Sequence, residues 1–313
     1  MQLLKGSSVT HAMLTSLHLA RLSQFYPHPL AELGPNITEV PDDVASIVDQ
    51  QLVAASLLDT RGALTEQARS LLDPLFRYEN AFTAVILLHN QRQQVTFDLD
   101  EMWMEYMRQS LPSTPRVYVV VAASGPTTVT AVRAGEHVDL SMSATGDPLA
   151  LVAARELLRV GDPDKQWSPA KIPAVSFPAE LLNRAPARSP LPDSDDTQAQ
   201  RDHKLTVSRF ADALRKAEIP SRTIMAVEKF LQLDHIAATH IAYIGGAQRM
   251  LSEGTTTIDY FHNAGVSVGG VQKTGDGNLW KTLAPATVEE VRKSLTFLSR
   301  LPARPMLSAL AGY

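Results

Sequence analysis

Apolar residues recur every three to four positions in two stretches near the start of the chain. Leu14, Leu17 and Leu22 do so within residues 10–24, and Val44, Ile47, Val48 and Leu52 within 43–58. That spacing places them on one face of an α-helix, so two amphipathic helices are predicted to open the chain. A third is expected after "DTRGAL", with Thr65 as N-cap, a buried face of Ala68, Leu71 and Leu72, and Pro74 as its boundary.

The period then shortens to two. Phe82 to Leu88 is a β-rich run, followed by a polar tip at Asn90 and by Val95 and Phe97 alternating with Thr96 and Asp98, which reads as a hairpin. Residues 99–115 carry Met102, Trp103, Met104, Tyr106 and Met107 ahead of Pro112 and Pro115. They read either as a short helix over an edge strand or, if exposed, as a surface that repacks around a partner. "RVYVVVAAS", "TTVTAVRAG" and "HVDLSMS", joined by short Gly-containing links, predict an antiparallel meander. A helix follows with Asp147 as N-cap, Pro148 in its first turn, and Leu149, Val152, Ala153 and Leu157 as its apolar stripe.

Seven of the 20 prolines fall between Pro163 and Pro192, so residues 161–204 read as a linker, mobile around 184–203. Helical spacing returns with Val207, Phe210, Ala211 and Leu214, then with Ile224, Val227 and Leu231. Strands are expected at "HIAATHIAYIGG", "TTTIDYF", "VSVGGVQK" and "NLWKTL". Thr287 and Glu290 then form a capping box for a helix with Val288, Val291, Leu295 and Leu298 on one face. The order helices, strands, helix thus occurs twice. It predicts an α+β fold: a quasi-twofold repeat of strand meander plus helix around a central, mostly antiparallel sheet, flanked by helical bundles. The whole chain, 1–313, reads as one domain, with halves at 8–160 and 205–302 and a tail at 303–313.

Composition narrows the function classes. Hydrophobic residues at 44% and charged residues at 20% are those of an ordinary globular chain. A net charge of -4, with 29 Lys+Arg thinly spread, offers no basic stripe for nucleic acid. The absence of cysteine removes disulfides and thiolate chemistry and suits a reducing cytoplasm. Aliphatic runs such as Ala84 to Leu88 are far too short to span a bilayer, and the first residues do not read as a signal peptide.

Gly265-Val266-Ser267-Val268-Gly269 matches G-x-S-x-G, and a serine hydrolase using Ser267 is the alternative to a binding function. Its context argues against that reading: the valines alternate like a strand, the chain runs on into another strand, and no histidine follows His262. His235 and His240, five apart, fit neither helical nor strand ligand spacing, so no metal site is expected. No glycine-rich phosphate cradle is present, so no cofactor is expected. In "TTTIDYFHNAG", Thr255, Thr257 and Asp259 share one side of a strand, and an exposed sheet face with His262 and Asn263 nearby would suit a protein partner.

"AVRAGEHVDLSMSATGDPLALVAARELL" (131–158) and "GDGNLWKTLAPATVEEVRKSLTFLSRLP" (275–302) together resemble the EspG family, chaperones of type VII (ESX) secretion. The resemblance rests on Ala131-Val132-Arg133, Gly277, Trp280, Pro285-Ala286-Thr287 and Leu301-Pro302, and extends upstream to "LVAASLLDTRGALTEQARSLLDPL". It implies a cytoplasmic, non-enzymatic chaperone without cofactor that binds the PPE subunit tip of PE/PPE heterodimers and directs them to secretion. It leaves room for secretion-system ATPase components as further partners and for a weak homodimer. Carried over by position, the partner-binding residues are Met102, Trp103 and Tyr106 in the loop and Thr257, Asp259, His262 and Asn263 on the sheet.

Overall fold

The computed structural model describes residues 11–27, 30–34, 40–88, 116–143, 146–184, 196–246, 248–273 and 278–305. The N-terminal half runs β1 (His11–Thr15), α1 (Ser16–Ser23), α2 (Asp42–Ala54), α3 (Glu66–Phe76), β2 (Asn80–Leu88), β3 (Arg116–Ser124), β4 (Thr127–Ala134), β5 (His137–Ser143) and α4 (Leu149–Gly161). The C-terminal half runs β6 (Val175–Pro178), α5 (Thr197–Lys216), α6 (Ser221–Leu231), β7 (His235–Gly245), β8 (Met250–Ser252), β9 (Thr256–Phe261), β10 (Gly265–Lys273), β11 (Leu279–Pro285), α7 (Val288–Leu298) and β12 (Ala303–Pro305).

The strands form one antiparallel sheet in the order β1-β5-β4-β3-β2-β7-β9-β10-β11-β6, with β8 on β7 and β12 on β8. The order reads the same outward from the central β2–β7 pair, where Thr83 lies opposite Ala242. Each half contributes four meander strands, closes with a helix, and lays its own opening strand on the outer edge: β1 on β5, β6 on β11. The predicted quasi-twofold α+β architecture is present.

Period-two alternation splits the sheet into two faces, and each is covered. One packs Phe82, Ile86, Val121, Ile241, Ile258, Val268 and Ala284 beneath α4 and α7. The opposite face is covered at its two ends. Ala81, Val120, Ala131, Leu140 and Ile244 lie under α1–α3, while Phe261, Leu283 and Phe177 lie under α5 and α6, with Phe177 edge-on to Phe210 at 5.8 Å. Cross-strand register places Thr257, Asp259, Ser267 and Lys281 on this second face, between the two helical groups. Among the described residues no helix is long and apolar enough to cross a membrane.

Several local expectations are corrected. Residues 11–15 are a strand and not the start of a helix, because Ala12 and Leu14 bury against β5 while Met13 faces out. Thr15 then caps α1: its hydroxyl accepts from the His18 backbone N–H, and His18 Nδ1 accepts from the Thr15 N–H at 3.1 Å. Thr65 caps α3 as predicted, but Pro74 lies inside that helix, which continues for one half-turn because Leu75 and Phe76 are buried. Asp147 does not cap α4. Pro148 takes the N-cap position, its carbonyl accepting from Leu151 and Val152, while Asp147 pairs with Arg155. Only half of the second capping box forms: Thr287 accepts from the Glu290 N–H at 3.2 Å, while the Glu290 carboxylate turns to Lys293, and Val288 stays exposed.

The proline-rich stretch is more than a linker. Val175 and Phe177 point inward from β6 and Ser176 outward, and α5 begins at Thr197, inside the segment expected to be mobile. The second strand of the predicted hairpin, residues 99–115 and residues 185–195 lie outside the described residues.

Candidate partner-binding site

The strand expected to be half exposed is buried along its whole length. In β9, Thr256, Ile258 and Tyr260 face the α4–α7 layer, while Thr257 and Asp259 are 6% and 0% exposed on the other side. Thr257 Oγ1 donates to Asp259 Oδ2 at 3.0 Å, and His235 Nε2 lies 3.4 Å from Asp259 Oδ1. Lys281 Nζ, on β11, donates to the Gly269 carbonyl at 3.1 Å. A buried carboxylate is tolerated only when hydrogen-bonded or charge-paired, and Asp259 is occupied in this way. Thr257 and Asp259 are therefore internal supports, and the expectation that they offer an exposed face fails.

Ser267 sits directly opposite Asp259 in the β9–β10 register and is completely buried. Its Oγ has no hydrogen-bond partner among the described residues, and none of the described histidines is bonded to it. The neighbouring glycines serve packing. A Cβ on Gly269 would stand 2.7 Å from Thr257 Oγ1, and one on Gly270 would stand 2.8 Å from Ser294 Oγ on α7. A nucleophile elbow exposes its serine at a strand-to-helix turn. Here the G-x-S-x-G string is a mid-sheet strand pressed between two layers. Among the described residues no group of three or more His, Cys, Asp or Glu could hold a metal ion.

His262 and Asn263 do reach the surface. They form the β9–β10 turn, where the His262 N–H donates to the Asp234 carbonyl at 2.8 Å and Asn263 adopts φ 58°, a left-handed conformation that asparagine tolerates. The turn opens into a groove of about 620 Å³. One wall is the segment after α4. Asp162 accepts from the backbone N–H groups of Gln166 and Trp167 at 2.8 and 2.9 Å, and Ser168 and Ala170 bond the Val266 backbone at 2.9 and 2.7 Å. Gly265 is required at that crossing, since a Cβ there would lie 2.4 Å from the Ser168 carbonyl oxygen. The facing wall is the end of α6, fixed by the edge contact of Phe230 on Phe261 at 4.8 Å.

Trp167, Ile172, Leu233 and Ala264 give the groove partly buried apolar surface. Lys171, Lys229, His262 and Asn263 supply an exposed polar rim. Lys171 and Trp167 come from the stretch read as linker, and nothing in its proline-rich pattern marked them; only the tertiary crossing over Val266 brings them beside the turn. Met102, Trp103 and Tyr106 lie outside the described residues.

Comparison with curated protein sequences gives no match. Among solved structures, the chain is similar to the Mycobacterium tuberculosis type VII secretion system chaperone EspG5, solved in complex with a PE25-PPE41 dimer. The TM-score is 0.64 at 19% identity, covering 94% of this chain and 97% of that one. The dehydratase domain from the CurJ module of curacin polyketide synthase, at a TM-score of 0.13 and 9% identity, is not a structural relative. In sequence, residues 11–296 match the EspG family, a span that takes in both halves of the sheet, the groove and all but the end of the closing helix. The chain belongs to the EspG family.

Proposed function

We propose that this chain is a cytosolic chaperone of type VII secretion that holds PE/PPE heterodimers through the PPE subunit, keeps them soluble and delivers them for export. The observation that carries this reading is the family match over nearly the whole chain. The shared fold with EspG5, itself solved with a PE/PPE dimer, supports it. The contact we propose runs through Met102, Trp103 and Tyr106 and through His262 and Asn263, which are exposed. The role requires no catalysis, and the burial of Ser267 removes the observation that favoured hydrolysis.

Co-expression tests the proposal. A PE/PPE pair encoded beside this chain is expected to be largely insoluble alone and to enter the soluble fraction when the chain is co-expressed. Equal solubility with and without the chain, for every neighbouring pair, would refute the chaperone role.

A further inference from the structure

The outer surface of the α5–α6 pair has a charge character unlike that of the chain as a whole. Asp+Glu number 33 against 29 Lys+Arg in the full sequence, yet between residues 197 and 231 Lys and Arg prevail by seven to four. The balance reverses in the helical layer at the other end of the same sheet face, where seven acidic residues stand against three basic ones between 40 and 79. Whole-chain composition averages this separation away. α5 and α6 turn Phe210, Leu214, Val227 and Phe230 toward the sheet. They lie against each other, with His203 Nε2 3.2 Å from the Leu231 carbonyl oxygen.

Opposite that buried face, each helix carries the same short pattern. On α5, Leu205 is 49% exposed and is bracketed by Arg201 and Arg209, about one helical turn to either side. On α6, Met225 is 62% exposed and is bracketed in the same way by Arg222 and Lys229. The acidic side chains of the pair are largely answered locally. Arg215 reaches Asp212 and, at 3.6 Å, Glu228, while Asp202 accepts from Gln198 Nε2 at 2.9 Å. Arg201, Lys204, Arg209, Lys216 and Arg222 have no ion-pair partner among the described residues. The surface is thus a layer of unneutralised cations with single apolar side chains set among them.

Nucleic acid would use the cations but gain nothing from Leu205 or Met225. The aromatic residues of both helices, Phe210 and Phe230, are buried and offer no base a stacking surface. A tightly bound protein needs a contiguous apolar centre to its interface, which the cations around Leu205 and Met225 deny it. An anionic bilayer asks for neither. Its headgroup charge meets cations at any spacing, and isolated apolar side chains enter the headgroup–acyl boundary singly. We propose that the outer face of α5 and α6 docks this chain reversibly on an anionic lipid surface, with Leu205 and Met225 as shallow anchors. The acidic layer of α2 and α3 is repelled by the same surface, so the charge separation orients the chain with its C-terminal half toward the lipid.

The chaperone reading gives this contact a use, which is to bring a client to the membrane that export crosses. The lipid-binding chemistry rests on the two helices alone. Arg201, Leu205, Arg209, Arg222 and Met225 are all exposed, so replacing them leaves the core beneath intact.

Vesicle flotation with the full chain tests the proposal, comparing pure phosphatidylcholine with a mixture containing about one third phosphatidylglycerol. The wild type is expected to float with the anionic vesicles only and to be released by added salt. The triple variant Arg201→Glu/Arg209→Glu/Arg222→Glu, confirmed as folded by circular dichroism, should partition about tenfold or more weakly, because each Lys or Arg at an anionic surface adds to binding. Leu205→Ser/Met225→Ser keeps every charge and should still lose affinity several-fold. Equal flotation with the two vesicle types, or undiminished flotation of either variant, would overturn the proposal. Binding to a DNA duplex without flotation would overturn it in favour of nucleic acid. These outcomes leave the chaperone role standing, since client solubility on co-expression decides that role separately.

Discussion

Replacing Gly161 by alanine probes how tightly the closing helix of the first half is pressed onto the second half's sheet. Gly161 is the last residue of α4, and a Cβ there would stand 1.9 Å from Tyr260 Oη and 2.8 Å from Tyr260 Cζ. Non-bonded heavy atoms settle at roughly 3.5 Å or beyond, so the ring would have to retreat by more than an ångström. Tyr260 is 2% exposed and meets Trp167 edge-on, with ring centroids 6.2 Å apart, so it has little room to do so. Overpacking of this kind costs about 1–3 kcal/mol. Alanine's advantage over glycine in a helix is at most about 1 kcal/mol and smaller at a terminal position. The clash wins, and Gly161→Ala should lose roughly 1–2 kcal/mol. Adding Tyr260→Phe removes the 1.9 Å contact and should restore most of that loss. Reversible urea unfolding of the two single variants and the double variant measures the coupling. Because Trp167 rests on the same ring, its fluorescence should report the displacement in Gly161→Ala before any unfolding. A Gly161→Ala protein as stable as the wild type, or a loss unchanged by Tyr260→Phe, would refute the reasoning.

Four further outcomes are expected. Ser267→Ala deletes a buried hydroxyl without a partner among the described residues, so unfolding stability should stay level or rise by up to about 1 kcal/mol, and a clear loss would contradict the packing role. Asp259→Lys buries a reversed charge where exposure is 0% and should cost several kcal/mol, seen as loss of soluble protein. By contrast, the exposed His262→Ala should change stability by no more than about 0.5 kcal/mol, and a wild-type-like melt for Asp259→Lys would show that β9 is not internal. His18 is held neutral: burial lowers its pKa, its Nδ1 accepts from the Thr15 N–H, and its Nε2 pairs with Gln51 Oε1 at 2.8 Å. The unfolded chain therefore binds the additional proton first, and stability should fall as pH drops from about 7 to about 5. Unfolding curves of His18→Gln over that range should be flatter than the wild type's, and an identical slope would contradict the assignment.

The long regular elements were legible in the sequence because each carries its own period. β3, β4, β7, β9 and β10 follow runs rich in β-branched or aromatic residues, β5 alternates Val138, Leu140 and Met142 with polar residues, and α5 and α6 follow apolar stripes. The two edge strands were not. β1 is five residues whose leucine spacing continues into α1, and the cap between them uses His18 where the usual box has Glu or Gln. β6 is four residues ending at Pro178, too short to show a period, and is specified by Phe177 finding Phe210 and by pairing with β11. That pairing also explains why the second half looked shorter than the first: its opening strand lay hidden among prolines.

For the candidate site, alternation correctly placed Thr257 and Asp259 on a common face. It could not tell what covers that face, because burial is a property of the neighbouring layer and not of the strand. His262 and Asn263 were read with the sheet face and instead form the turn after β9, while Lys171 and Lys229, which line the same groove, come from a proline-rich crossing and a helix end. Only the hydrogen bonds of Ser168 and Ala170 to Val266, and the contact of Phe230 with Phe261, bring those two stretches together.

The account's central claim is that this member of the EspG family holds a PE/PPE heterodimer. Size-exclusion chromatography with multi-angle light scattering on the chain co-purified with a PE/PPE pair encoded beside it tests that claim most directly. A single species with the summed mass of one copy of each of the three chains is the predicted result. Elution of the chain at its own monomer mass, separate from every such pair, would contradict it.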